Sequence, residues 1–223
     1  MSKKALIVWG GWEGHTPKQS AEVFAPLLTD AGYDVTIKDT LYAYADEDLM
    51  ADLDLIVPIW TMGEISKEQW QGLSKTIFNG CGLAGFHGGM IDSFRMNTEY
   101  QWMTGAQWVS HPGNCEPTYE VRITDTDHEI TRGLDHFTLP KTEQYYCHHD
   151  PANHVLCETT FNYEDKGEHY GRKYRLGAVH PYAWTKGWGD GKVFGACWGH
   201  TYQDFDVPEA KEIVFRGMKW ATR

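Results

Sequence analysis

The first half of the chain alternates short runs that are apolar at every position with longer stretches in which apolar residues recur every three or four. Ala5-Leu6-Ile7-Val8-Trp9 is a run of buried-strand length, ended by Gly10-Gly11. Thr16-Pro17-Lys18-Gln19 then reads as a helix start, with Thr16 at the cap, Pro17 in the first helical position and Gln19 three residues on. Ala21, Phe24, Leu27, Leu28 and Ala31 mark the apolar face of that helix, and Gly32 suits its stop. Pro26 falls inside it and predicts a kink or local distortion.

The alternation continues. Residues 34–39 form a short strand, 46–53 a short helix and 54–60 a strand apolar on both faces. Ser66 and Gln69 open a capped helix that runs to Asn79 and stops at Gly80; residues 82–86 make a fourth strand entering Gly88-Gly89. Strands alternating with helices predict right-handed βαβ units, hence an α/β fold with a doubly wound, mainly parallel sheet flanked by helices in three layers.

The second half is less regular. Residues 119–124 and 155–160 read as strands, and 178–185 and 192–198 as a hairpin around Gly187-Trp188-Gly189-Asp190-Gly191, with a connection longer than two residues. Asp206 is placed to cap a last helix with Pro208 near its start. No internal repeat and no linker divides the chain, so residues 1–223 are expected to form one domain. A chain of this length buries roughly 70–75% of its unfolded surface without help from disulfides.

Composition narrows the partners. Thirty-one acidic against 20 basic residues give a net charge of −11, which excludes a basic stripe for nucleic acid. The apolar run after Lys3-Lys4 is too short for a signal peptide, and no stretch approaches the ~20 apolar residues of a membrane span. The five cysteines (Cys81, Cys115, Cys147, Cys157 and Cys197) are odd in number and lack CxxC spacing, as expected of free thiols in a reducing cytoplasm. The expected partner is a small neutral or polar molecule, with neither nucleic acid nor membrane; a homo-oligomer stays open.

In a doubly wound sheet, ligands sit beyond the carboxyl ends of the strands, where strand order reverses. That rule selects the loops 10–16, 60–66 and 87–92. In Gly85-Phe86-His87-Gly88-Gly89 an apolar strand ends on one polar residue followed at once by glycines, a pattern suited to a strained turn and to close approach by a ligand. His87 is therefore the central candidate, as acid, base or ligand. Gly10-Gly11-Trp12-Glu13-Gly14-His15 is a second glycine-rich turn without the dinucleotide fingerprint, so no organic cofactor is expected. His15 can meet His87 across the pocket or lie solvated in its loop. His111, before Pro112, and Glu143, two residues from Tyr145, add a candidate acid/base pair. Gly195-Ala196-Cys197-Trp198-Gly199-His200 repeats the strand–glycine–histidine pattern. His15, His87 and His200 are thus candidate ligands for a divalent metal such as zinc, with a carboxylate or water completing the shell.

Catalysis is expected from His87, Glu143 and His111, and substrate contact from His15, Trp60, Tyr145, His200 and Gly88. Trp12, Trp60, Tyr100, Trp102, Trp108, Trp184, Trp188 and Trp198 lie in or near these loops, where aromatic faces suit sugar rings, although core packing accounts for many of them. His148-His149-Asp150 invites a metal reading, but adjacent strand residues point to opposite faces, so a structural role is favoured. Cys197 is read as core. His128, His136, His154 and His169 lie in polar stretches and receive no role.

Taken in order, Gly14-His15, Gly85-Phe86-His87-Gly88-Gly89, His111-Pro112, Asp127-His128-Glu129-Ile130-Thr131 with Gly133-Leu134, Glu143-Gln144-Tyr145, and Trp184-Thr185 through Gly191-Lys192-Val193-Phe194 to Gly199-His200 resemble the ThuA-like (trehalose utilisation) family over nearly the whole chain. The resemblance implies a class I glutamine-amidotransferase-like fold and an association with carbohydrate use, trehalose-type or keto-sugar. Thr142 and Lys192 stand where the family often has Asp and Arg. A glutaminase of this fold needs a cysteine at the elbow to form its thioester, and here the residue is His87. The expected function is an isomerase, lyase or hydrolase acting on a small sugar derivative; the competing expectation is a non-catalytic sugar-binding or regulatory protein.

Overall fold

The computed structural model describes residues 2–162 and 177–223; His169 lies outside them. The chain opens with β1 (Lys3–Gly11), α1 (Pro17–Asp30), β2 (Tyr33–Lys38), α2 (Glu47–Ala51), β3 (Leu55–Thr61), α3 (Lys67–Phe78) and β4 (Gly82–Phe86). A four-residue helix α4 (His87–Met90) follows without a break, then α5 (Thr98–Thr104) and β5 (Ala106–Ser110). The second half contributes β6 (Tyr119–Ile123), β7 (Phe137–Leu139), β8 (Tyr146–His149), β9 (His154–Phe161), β10 (Ala178–Trp188), β11 (Gly191–Ala196) and α6 (Pro208–Ala221).

Nine of the strands form one sheet in the order β2-β1-β3-β4-β11-β10-β9-β6-β7, and β5 pairs with β8 in a separate ribbon. From β2 to β11 the pairs are parallel, and from β11 to β7 antiparallel. The apolar runs of β1, β3 and β4 are covered on both faces, which is why they read as continuous rather than alternating. Strand order reverses at β1, whose neighbours are β2 and β3. The register sets Gly11 beside Thr61 and Ala196 beside Phe86, so β1, β3, β4 and β11 end along one rim.

Several local expectations hold in detail. Ser66 and Gln69 make both bonds of a capping box, Asp46 accepts from the Leu49 amide to start α2, and Gly32 takes a φ of +89° after α1. Others are corrected. Thr16 does not cap α1: it is itself left-handed, and its hydroxyl accepts from the Tyr202 amide instead. Asp206 belongs to a 3-10 turn, leaving Val207 at the start of α6 with no side-chain cap. The β10–β11 hairpin is tighter than expected, because Trp188 pairs with Gly191 and only Gly189 and Asp190 connect them.

Candidate functional site

Three imidazoles and one carboxylate converge at the rim. His15 ends a 3-10 turn after β1, His87 is the first residue beyond β4, and His200 lies four residues past β11. Glu143 comes from the other half of the molecule, three residues before β8. Its Oε2 is 3.7 Å from His15 Nε2, 3.6 Å from His87 Nε2 and 3.2 Å from His200 Nδ1, while Oε1 is 3.8 Å from His111 Nε2. One donor atom from each of His15, His87, Glu143 and His200 lies within 4.8 Å of all the others. His87 is fully buried, His15 and Glu143 nearly so, and His200 is half-buried toward solvent.

Each member is held by a partner behind it. His15 Nδ1 is 2.9 Å from Thr61 Oγ1, which turns Nε2 inward. His200 Nε2 faces Cys115 Sγ at 3.6 Å, leaving Nδ1 for the centre. Tyr145 lies flat against His87, ring centroids 3.6 Å apart. The segment carrying Glu143 is anchored on both sides: Tyr119 Oη donates to the Glu143 carbonyl, the Tyr145 amide donates to Tyr182 Oη, and Gln144 Nε2 donates to Thr159 Oγ1.

The backbone is strained where the site is built. Among the described residues the non-glycine positions with left-handed φ are Thr16, Met62, His87, Phe94, Asn114 and Lys141. His87 is itself one of them (φ +45°), and Thr16 and Met62 directly follow His15 and Thr61. Each costs on the order of 1–3 kcal/mol and persists only because its surroundings enforce it. The strand-to-helix elbow expected at His87 is therefore present, carrying an imidazole on its strained residue.

Burial, then the field of His15, holds the His87 imidazolium well below its ordinary pKa despite the attraction of Glu143, so His87 is neutral at pH 7. Burial alone would raise the Glu143 carboxyl, but its contacts with His15 and His200 and the field of His87 outweigh it and keep the group ionised. Among the described residues, both ring nitrogens of His87, His200 Nδ1 and Glu143 Oε2 are buried without a hydrogen-bond partner.

All the sequence candidates can now be placed. His15, His87, Glu143 and His200 come together, and His111 stands at the outer edge with its side chain one-quarter exposed, its ring beside those of Trp108 and Tyr145. His15 is buried in the cluster rather than solvated in its loop. Tyr145 is a buried wall behind His87, and burial pushes its phenol well above the ordinary range, so it supports rather than titrates. Trp60 packs its ring over Gly10 and Gly63. Gly88 serves packing: a Cβ there would collide with His15 Nδ1 and lie 2.9 Å from Thr61 Oγ1. We therefore expect Gly88→Ala to push His15 out of line and destabilise the protein by about 1–3 kcal/mol, measured by denaturant unfolding; unchanged stability would contradict this packing. The thiols are poor nucleophile candidates, since burial pushes Cys81 up to about 12 and Cys197 well above its ordinary value.

Two residues escaped the sequence reading. Asp204, buried, accepts from the Gly199 and His200 amides at 3.1 and 2.9 Å and from Thr142 Oγ1 at 3.0 Å, so it ties the neighbour of Glu143 to the loop that carries His200. Asp92, also buried, is paired with Arg95 by two hydrogen bonds at 2.6 and 2.8 Å, and its carbonyl accepts from the Met62 amide. Their partners are distant in sequence or in a loop without pattern, so no local signal marks them.

A family model described as ThuA, trehalose utilisation, matches residues 4–221. No curated protein matches the chain. Among solved structures, a ThuA-like protein from Bacteroides uniformis ATCC 8492 superposes with a TM-score of 0.76 at 17% identity, covering 98% of this chain and 91% of that one. A cytoplasmic protein from Salmonella typhimurium LT2 gives 0.68 at 14% identity, over 99% of this chain and 100% of the other. A β-galactosidase from Bacillus circulans gives 0.61 at 12% identity, over 99% of this chain and 30% of that enzyme. At these identities the structural likenesses establish a shared fold. Among the described residues, no helix is long and apolar enough to cross a membrane.

Proposed function

Because the chain belongs to the ThuA (trehalose utilisation) family, we propose that His15, His87, Glu143 and His200 hold a divalent cation of the zinc class at the centre of an enzyme site for a small sugar derivative. The observation that carries this reading is the convergence of three imidazole nitrogens on Glu143 Oε2, with His87 Nε2, His200 Nδ1 and Oε2 itself buried and without a hydrogen bond among the described residues. Imidazole and carboxylate donors bonded to one tetrahedral ion at about 2.0–2.1 Å would sit roughly 3.4 Å apart. The 3.6 and 3.7 Å separations of His87 and His15 from Glu143 Oε2 are too long for good hydrogen bonds and suit co-ligands of one ion. The protonation states of His87 and Glu143 fit as well: a ligand imidazole must be neutral and a ligand carboxylate ionised.

When bound, such a cation polarises a carbonyl or draws the pKa of a bound water down toward ~7. The protein supplies the rest. Thr61 and Cys115 set which nitrogen of His15 and His200 faces inward, and the elbow at β4 aims His87. His111, the most exposed of the five side chains, is placed to exchange a proton with a ligand arriving from solvent, its Nε2 3.8 Å from Glu143 Oε1. Isomerisation, elimination and hydrolysis of a sugar derivative each need such a transfer. Trp12, 47% exposed and edge-on to His15, offers an aromatic face at the mouth. A groove of about 590 Å³ lined by Ile65, Trp70, Phe94 and Asn97, among others, begins two residues beyond Thr61 and is of ligand-binding size.

The test is a screen of mono- and disaccharides and their keto derivatives against zinc-loaded protein, by thermal shift and product analysis. We expect at least one sugar derivative to raise the melting temperature and be turned over. His111→Gln should then lower kcat by about 10²–10⁴-fold while leaving the thermal shift in place. A shift without turnover would make the protein a sugar receptor and overturn the enzymatic reading.

A further inference from the structure

A second cluster of soft donors lies elsewhere in the fold. Cys147 and His149 stand two apart on β8 and so share a face, and Cys197 follows directly after β11. One donor atom of each lies within 4.8 Å of the other two. Cys147 Sγ and Cys197 Sγ are 3.9 Å apart, unbridged, with both residues buried. Both ring nitrogens of His149 are buried and, among the described residues, lack a hydrogen-bond partner, and the ring stands edge-on to Trp184 at 5.1 Å.

A buried polar group left unpaired costs about 1–3 kcal/mol, so an imidazole with neither nitrogen bonded, set against two thiols, is not explained by packing. Two thiolates on a tetrahedral zinc-like ion, with bonds near 2.3 Å, would be separated by roughly 3.8 Å. Two thiolates and one neutral imidazole also cancel the charge of a dication, which makes the assembled group cheap to bury. Among the described residues no carboxylate joins this cluster, and thiolate donors select thiophilic cations over magnesium or calcium.

We propose that Cys147, His149 and Cys197 form a second cation site, taking a thiophilic d10 ion of which zinc is the biological example, and clamping β8 to the end of β11. Binding displaces one proton from each thiol to solvent and involves no electron transfer. The site is structural in its position. It fixes the strand that begins one residue after Tyr145, the residue stacked on His87.

Cadmium titration of the reduced, chelator-stripped full chain tests this through thiolate-to-metal charge-transfer absorption, a signature that nitrogen and oxygen donors do not produce. We expect a band whose amplitude saturates at one thiolate-bound cadmium per chain, beyond whatever the histidine cluster takes up. It should vanish in the Cys147→Ser/Cys197→Ser variant and persist in His87→Ala, which separates this proposal from the fate of the histidine cluster. His149→Gln, at a half-buried position, should keep the band and weaken binding about tenfold or more, and it carries the test if the double variant fails to fold. Absence of the band in the wild type, its survival in the double variant, its loss on Cys115→Ser alone, or unchanged affinity in His149→Gln would each overturn the proposal.

Discussion

Glu143→Gln should lower zinc affinity at the histidine cluster by about a hundredfold or more, near 3 kcal/mol, with turnover falling in parallel. The reason is charge rather than shape. The Glu143 carboxylate lies within 4 Å of His15, His87, His111 and His200, and three of those rings approach its Oε2. Glutamine keeps the volume and one oxygen but removes the charge that complements a dication. It also places an amide, with two N–H donors, where a cation must be met. Titration calorimetry on the variant whose Cys147 and Cys197 are both serine isolates this centre, and equal affinity with and without the carboxylate would refute its role as a ligand.

Asp204→Ala should be the most damaging single change outside the cluster, costing about 3–5 kcal/mol of stability and lowering the melting temperature by about 10 °C. The Asp204 carboxylate is buried and receives three hydrogen bonds, two from the amides of Gly199 and His200 and one from Thr142 Oγ1. Truncation leaves those donors inside the protein without an acceptor. It also frees the residue beside Glu143 and the backbone of His200 together, so zinc affinity should fall as well. Asp204→Asn keeps one acceptor oxygen and should recover much of the stability. If Asp204→Ala unfolds at the wild-type denaturant midpoint, the residue does not brace the site.

The parallel half of the fold was readable because its strands are buried on both faces and bounded by glycines. β4 ends at Phe86 as expected, and the loops after β1, β3 and β4 supply His15, Thr61 and His87. The rule that ligands sit at the carboxyl edge of such a sheet selects the loops that carry His15, Thr61 and His87, while His200 is marked by the repeated strand–glycine–histidine pattern. The β5–β8 ribbon was not readable. Ala106–Ser110 and Tyr146–His149 are short, and the latter is half histidine, with no apolar alternation.

What failed in the sequence reading is what depends on distant contacts. Glu143 was visible as a carboxylate two residues from Tyr145, but not as the point on which histidines from three loops converge. Thr142 occupies a position where the family often has Asp, and its hydroxyl reaches Asp204, 62 residues away. His149 was set aside because its neighbour His148 points to the opposite face. The geometry of β8 supports that argument, yet the donor atoms near His149 belong to Cys147 on its own face and to Cys197, fifty residues beyond Cys147. Thr16 carried a well-formed capping pattern that the structure does not use, because the tertiary bond from Tyr202 took its hydroxyl.

The central claim is that a cation belongs between four named atoms. Anomalous diffraction at the zinc edge, from crystals grown with zinc, reads this directly. The account predicts a peak bonded at about 2.0–2.1 Å to His15 Nε2, His87 Nε2, His200 Nδ1 and a Glu143 oxygen. A density map with no peak there, the imidazoles and the carboxylate bonded only to one another or to water, would contradict it.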